Sequence, residues 1–230
     1  MRNLPSTLAT KRGLGLLGGT FDPVHTGHLC LASTALSAIP LVRVELFPAG
    51  EPWQKSRISS GIHRLNMLRI AVEYEPLFRI NTSELCRIGP TYTIDTVKNL
   101  REEVGPAMPL VLILGIDQWL NLSTWKNWAE LTNYVHIAYC RREGTVEKPI
   151  PDQQIAWAAD KITAPEALTQ MPAGRIAQFE MAPHRASATE IRRTISTQPY
   201  AQAMKTLDGW LHPGVAQYIR SHGLYGAMRH

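Results

Sequence analysis

Short apolar runs alternate with longer amphipathic stretches along most of the chain. Candidate strands fall at 14–17, 42–47, 78–81, 110–114, 135–140 and 176–179, and several of them are near-continuous apolar runs. Such runs suit strands of a parallel sheet covered on both faces. Between them, 29–39, 62–74, 94–103 and 125–131 carry apolar positions at helical spacing and predict helices. This β-α-β-α-β succession predicts an α/β fold, a doubly wound Rossmann-like parallel sheet. Ligands of such a sheet collect at the carboxyl ends of its strands.

Periodicity weakens over 143–175, where Pro149, Pro151, Pro165 and Pro172 interrupt it. That stretch predicts a variable surface excursion with some helix at 152–159 and no chemistry of its own. Beyond it, 187–195 and 215–221 predict short helices. One domain is expected over 1–230, with a core at about 13–142 and a small C-terminal helical extension at 176–230.

Composition narrows this little. A chain of 230 residues that is 44% hydrophobic and 19% charged can bury a sizeable core. The net charge of +5 and pI near 9.2 suit anionic partners, whether phosphorylated small molecules or nucleic acid. No contiguous basic-aromatic stripe supports the second, so no nucleic-acid partner is expected. The first residues lack the apolar stretch of a signal peptide and no window is long enough to span a membrane. A soluble, cytoplasmic protein without a membrane partner is therefore expected. Cys30, Cys86 and Cys140 share no spacing and read as buried small hydrophobes.

Candidate chemistry concentrates in Gly18–Leu29, GGTFDPVHTGHL, which follows the first apolar run and leads into the first helix. Gly18 and Gly19 allow close approach of backbone to a ligand. A helix opening near Gly27 offers unpaired N–H groups and a positive dipole end to an anion, and His25 and His28 are spaced to face it too. Gly13, Gly15 and Gly18 also match GxGxxG formally. Two of them lie inside the apolar run rather than in a turn opening a helix, so a dinucleotide fingerprint is not supported. A pair of histidines with no third ligand nearby makes a poor zinc site, and no metal-ligand set is expected.

A second group, Ser187-Ala188-Thr189-Glu190-Ile191-Arg192, has the spacing of a capping box that opens a helix. The same hydroxyls, helix terminus and Arg192 would also hold polyphosphate.

On these residues the chain resembles the nucleotidyltransferase superfamily whose signature is T/HxGH after the first strand. The whole GGTFDPVHTGHL string is similar to one member family, the bacterial nicotinate-nucleotide adenylyltransferases. Ser187–Arg192 resembles that family's SxTxIR motif. Pro90–Thr96 resembles its P-[ST]-Y-T segment, Gly115-Ile116-Asp117 its GxD, Thr124-Trp125 its TW pair and Cys140-Arg141-Arg142 its CRR. Gly223-Leu224-Tyr225 resembles a family C-terminal ending.

The resemblance implies transfer of AMP from ATP to nicotinate mononucleotide by direct in-line attack, with Mg²⁺ carried mainly on the ATP phosphates. It implies that His25, His28, Lys55 and Arg192 stabilise charge during transfer. ATP would meet Gly18, Gly19, Thr20, Phe21, His25, His28, Gly115, Asp117, Arg141, Ser187, Thr189 and Arg192. The mononucleotide would meet Asp22, Lys55, Tyr92, Thr93 and Trp125. By residue chemistry alone, Thr93 is also the N-cap of the helix at 94, and Trp125 with Trp128 is also a core helix face. Glu51-Pro52-Trp53-Gln54-Lys55 departs from the family's PPH[KR], keeping the proline and the cation but replacing the histidine. An adenylyltransferase of phosphopantetheine is the nearest rival, against which Thr93 and Thr124-Trp125 stand. Both monomer and homo-oligomer remain open.

Overall fold

The computed structural model describes residues 12–50, 58–142 and 149–227. Six strands form one sheet: β1 (Gly13–Gly19), β2 (Leu41–Pro48), β3 (Phe78–Ile80), β4 (Leu110–Gly115), β5 (His136–Arg142) and β6 (Ile176–Met181). Every pairing is parallel and the spatial order is β3-β2-β1-β4-β5-β6. That order reverses direction between β1 and β4, the point at which doubly wound sheets open a crevice for ligands.

The period of two along the strands distributes side chains between two cores. Leu110, Leu112 and Leu114 of β4 join Leu14 and Leu16 of β1 in one, while Val111 and Ile113 join Leu17 in the other. Gly15 explains why a glycine sits inside a buried strand. A Cβ there would lie 2.9 Å from side-chain atoms of Ile113, Leu41 and Val44. Its role is close packing of the sheet.

Helix α1 (Thr26–Ala38) leaves β1 and buries Leu31, Ala32 and Ala35, while α2 (Gly61–Ala71) follows β2 and buries Met67 and Leu68. On the opposite face lie α3 (Thr93–Val104), the short α4 (Ile116–Leu120) and α5 (Asp152–Ala158). The C-terminal helices α6 (Ala188–Thr197), α7 (Tyr200–Thr206) and α8 (Pro213–Ser221) share the core of α1 and α2 through Ile191, Ile195, Leu207, Val215 and Ile219.

Several sequence expectations are corrected here. Residues 125–131 do not form an α-helix: Trp125 is extended, Asn127 is left-handed at φ 50°, and 3-10 turns cover Leu122–Thr124 and Trp128–Asn133. The excursion is more than surface. Gln154 is buried and its Nε2 donates to the Trp119 carbonyl at 2.8 Å, and Leu168 is fully buried. Ile162 also bridges Ile176 in parallel, covering part of the outer strand β6. Cys140 is buried and Cys30 half-buried, but Cys86 is exposed. Among the described residues, no helix is long and apolar enough to cross a membrane.

Candidate active site

A cleft of about 550 Å³ opens at the carboxyl ends of β1 and β4, where the strand order reverses. Gly18, Gly19 and Thr20 line it from β1, and His25, Gly27 and His28 from the start of α1.

The four residues His25-Thr26-Gly27-His28 divide the work. His25 is the extended N-cap of α1 and is 7% exposed. The rings of His25 and His28 lie 3.7 Å apart between centroids, tilted by 31°. The His25 N–H donates to His28 Nδ1 at 3.3 Å, which leaves Nε2 of the neutral His28 ring as its proton-bearing nitrogen. Thr26 turns away: its hydroxyl donates to the Gly209 and Trp210 carbonyls at 2.9 and 3.0 Å, and its N–H to Trp210 as well. Gly27 makes room, since a Cβ there would stand 3.0 Å from His25 Nδ1 and 3.3 Å from His184 Nδ1.

The second cradle meets the first. Ser187 caps α6, its Oγ accepting from the Glu190 N–H at 3.1 Å, and lines the cleft with Ala186 and Ala188. The capping box is only half formed, because the Glu190 carboxylate pairs with Arg193 at 2.7 Å. Thr189 and Arg192 lie on α6 outside the cleft lining. Arg192 reaches back instead, with Nη1 donating to the Asp22 carbonyl at 2.6 Å.

Two further predicted residues lie beneath the cleft. Phe21 is 1% exposed, left-handed at φ 51°, and its ring makes a T-shaped contact with His28 at 4.9 Å between centroids. Asp22 was expected to touch mononucleotide, yet it is 2% exposed and its carboxylate is engaged internally. Oδ1 accepts from the Tyr225 hydroxyl at 2.5 Å and Oδ2 from the Ser59 N–H at 3.1 Å. Arg64, also buried, donates to the carbonyls of Ser59, Thr20 and Gly50. Burial holds its guanidinium below the usual arginine range, partly offset by Asp22.

Tyr92, Thr93 and Trp125 line the same cleft. Tyr92 is the N-cap of α3 and Thr93 is its first helical residue, one position from the cap expected of it. Gly115 caps α4, its N–H donating to Gln118 Oε1 at 3.1 Å, and Gly115 and Asp117 both line the cleft. Arg141 is exposed at the end of β5, outside that lining. Lys55 lies outside the described residues.

Glu84, Asn121 and Lys126 also line the cleft and no motif pointed to them. Lys126 Nζ sits 4.4 Å from the Tyr92 ring centroid and 3.5 Å from Asp95. Its position directly after Trp125 was the available signal. Glu84 accepts from the Thr96 hydroxyl at 2.7 Å, and burial pushes its carboxyl above the usual range.

Glycine turn, paired imidazoles and two helix N-termini converge on a crevice at the reversal of a parallel sheet, an arrangement for holding a nucleotide polyphosphate. A sequence model of the cytidylyltransferase-like family matches residues 16–194. Fold and site thus define the class, a nucleotidyltransferase of cytidylyltransferase-like type. Within that class, a relative from Xylella fastidiosa (strain M12), named as a nicotinate-nucleotide adenylyltransferase, is 36% identical over 91% of this chain and 94% of its own. A relative of the same name from Bordetella petrii is 38% identical over 92% of this chain and 98% of its own. The chain belongs to the nicotinate-nucleotide adenylyltransferase family. Its fold is also that of the Plasmodium falciparum nicotinic acid mononucleotide adenylyltransferase complexed with NaAD. The TM-score is 0.68 at 17% identity, covering 93% of this chain and 97% of that one.

Proposed function

We propose that the chain transfers AMP from ATP to nicotinate mononucleotide, producing deamido-NAD and pyrophosphate, as a cytoplasmic enzyme of NAD biosynthesis. The observation that carries this reading is the meeting of both phosphate cradles in one cleft that Tyr92, Thr93 and Trp125 also line. The mononucleotide's phosphate oxygen attacks the α-phosphorus of ATP, and the bond from that phosphorus to the oxygen bridging to the β-phosphate breaks. The nucleophile is already ionised at neutral pH, so no residue has to remove a proton.

The chain's contribution is in-line positioning and stabilisation of charge on the α-phosphate and the departing pyrophosphate. His25 and His28 serve this from α1, and the N-terminus of α6 with Ser187 serves it from the other side. Lys55 and Arg192 complete the proposed charge set. For Arg192 this requires its guanidinium to serve phosphate while anchored on the Asp22 carbonyl. Imidazoles, hydroxyls and amide N–H groups suit phosphate oxygens better than a bare divalent ion. Mg²⁺ is accordingly assigned to the phosphates of ATP, where it neutralises their charge. Lys126 beside Tyr92 and Trp125 favours the acidic nicotinate ring over its neutral amide.

The test is steady-state pyrophosphate release with Mg·ATP and either mononucleotide. The wild type should prefer nicotinate mononucleotide. His28→Ala should lose about a hundredfold in kcat, roughly 3 kcal/mol of transition-state stabilisation. A nicotinamide preference would overturn the substrate, and an undiminished His28→Ala rate the role of the histidine.

A further inference from the structure

We propose that Tyr225 is a positioning residue for adenylyl transfer: its phenol, acting through Asp22, holds the turn that sets His28 in the cleft. The inference rests on the adenylyl-transfer reading above.

The contact joins positions 203 apart in sequence, with Tyr225 Oη donating to Asp22 Oδ1 at 2.5 Å. A carboxylate buried this deeply persists only when its lone pairs are satisfied. Tyr225 and the Ser59 N–H each supply one donor. Burial, and then the neighbouring Asp22, push the Tyr225 phenol well above its ordinary range, so it stays protonated as a donor throughout the working pH range. The residue next to Asp22 shows why such anchoring is needed. Phe21 has φ 51°, a conformation disfavoured for an aromatic residue and retained only where the surroundings over-determine it. Tyr225 itself is left-handed at φ 57°.

Thr20 and Asp22, on either side of Phe21, are each pinned. Arg64 Nη1 donates to the Thr20 carbonyl at 2.9 Å, Arg192 Nη1 donates to the Asp22 carbonyl at 2.6 Å, and Tyr225 and Ser59 hold the Asp22 carboxylate. The Phe21 ring then meets the His28 ring in a T-shaped contact at 4.9 Å between centroids. A path from the phenol to a cleft imidazole therefore runs through Asp22 and Phe21. Releasing Asp22 lets Phe21 relax from its left-handed conformation, and His28 loses the ring it rests on.

Tyr225→Phe removes one hydroxyl and keeps the ring. Its Tm should stay within a few degrees of wild type. Its kcat should fall about tenfold while both KM values change less than threefold, as expected when a charge-stabilising group is slightly misplaced. Asp22→Ala should give a similar or larger loss, and adding Tyr225→Phe to it should cost nothing more, because the two act as one unit. Asp22→Asn keeps an acceptor for the phenol and should recover most of kcat.

The His28 imidazole resonances of the ligand-free protein should move in Tyr225→Phe and in Asp22→Ala. Additive losses, a lowered Tm with unchanged kcat, or unmoved His28 resonances would each overturn the assignment. A wild type that makes no deamido-NAD would sink the adenylyl-transfer reading instead. The resonances would still decide whether Tyr225 controls His28.

Discussion

At the scale of single residues, the HTGH tetrapeptide assigns each position a separate physical task. His25 and His28 face the cleft, Thr26 is tied to the Gly209–Trp210 carbonyls, and Gly27 leaves the space its neighbours fill. Gly27→Ala should therefore displace the His25 ring by a few tenths of an ångström. An activity loss on the order of tenfold to a hundredfold is expected with little change in Tm, read by pyrophosphate release beside a thermal melt. Wild-type activity in this variant would contradict that account of the glycine. The place of these histidines and of Gly18, Gly19 and Gly27 in the cleft was legible in the sequence because it follows from local spacing. Asp22 was not. Nothing in FDP distinguishes a carboxylate facing ligand from one buried against a tyrosine 203 positions away. Lys126 and Glu84 were missed for a related reason, since each meets α3 through packing that its local sequence does not signal, Lys126 at Tyr92 and Asp95 and Glu84 at Thr96.

At the scale of elements, strands were read well and short helices poorly. All six strands end within one or two positions of the predicted bounds, most plainly β4, whose burial on both faces leaves a continuous apolar run. Helices α4 and α7 span five and seven residues, too short for a 3.6-residue period to register. Trp125 and Trp128 have helical spacing, but the extended Trp125 and the left-handed Asn127 interrupt the helix, and Trp125 lines the cleft. The cap of α6 can be tested directly. Ser187→Ala removes the acceptor for the Glu190 N–H, which should cost about 1 kcal/mol of stability. A Tm drop of roughly 2–4 °C is expected for a chain of this size. ATP affinity should fall as well if the same helix end binds phosphate, which calorimetric titration would show.

At the scale of the whole molecule, stability should depend on pH through His136, which is 0% exposed at the start of β5. Its Nε2 donates to the Met171 carbonyl at 2.8 Å and its Nδ1 accepts from the Arg175 N–H at 3.0 Å, so the neutral ring uses both nitrogens. Burial holds its pKa below the ordinary 6.5, with Arg101 and Arg175 adding to the effect and the Met171 carbonyl opposing it. Below pH 6.5 the unfolded chain thus binds a proton that the folded chain refuses, and stability falls as pH falls. Urea melts between pH 5 and 7 should show that slope, and His136→Gln should flatten it. An equal slope in both proteins would assign the dependence to other groups. The long-range ties to Thr26 and Asp22 bear on synthesis as well as on shape. Ribosomes deliver the HTGH segment early, but the partners that orient it, Gly209, Trp210 and Tyr225, emerge some 180 to 200 residues later. A nascent chain long enough to pair all six strands would still lack them, so the HTGH segment gains its full set of supports only once the residues on both sides of α8 have emerged.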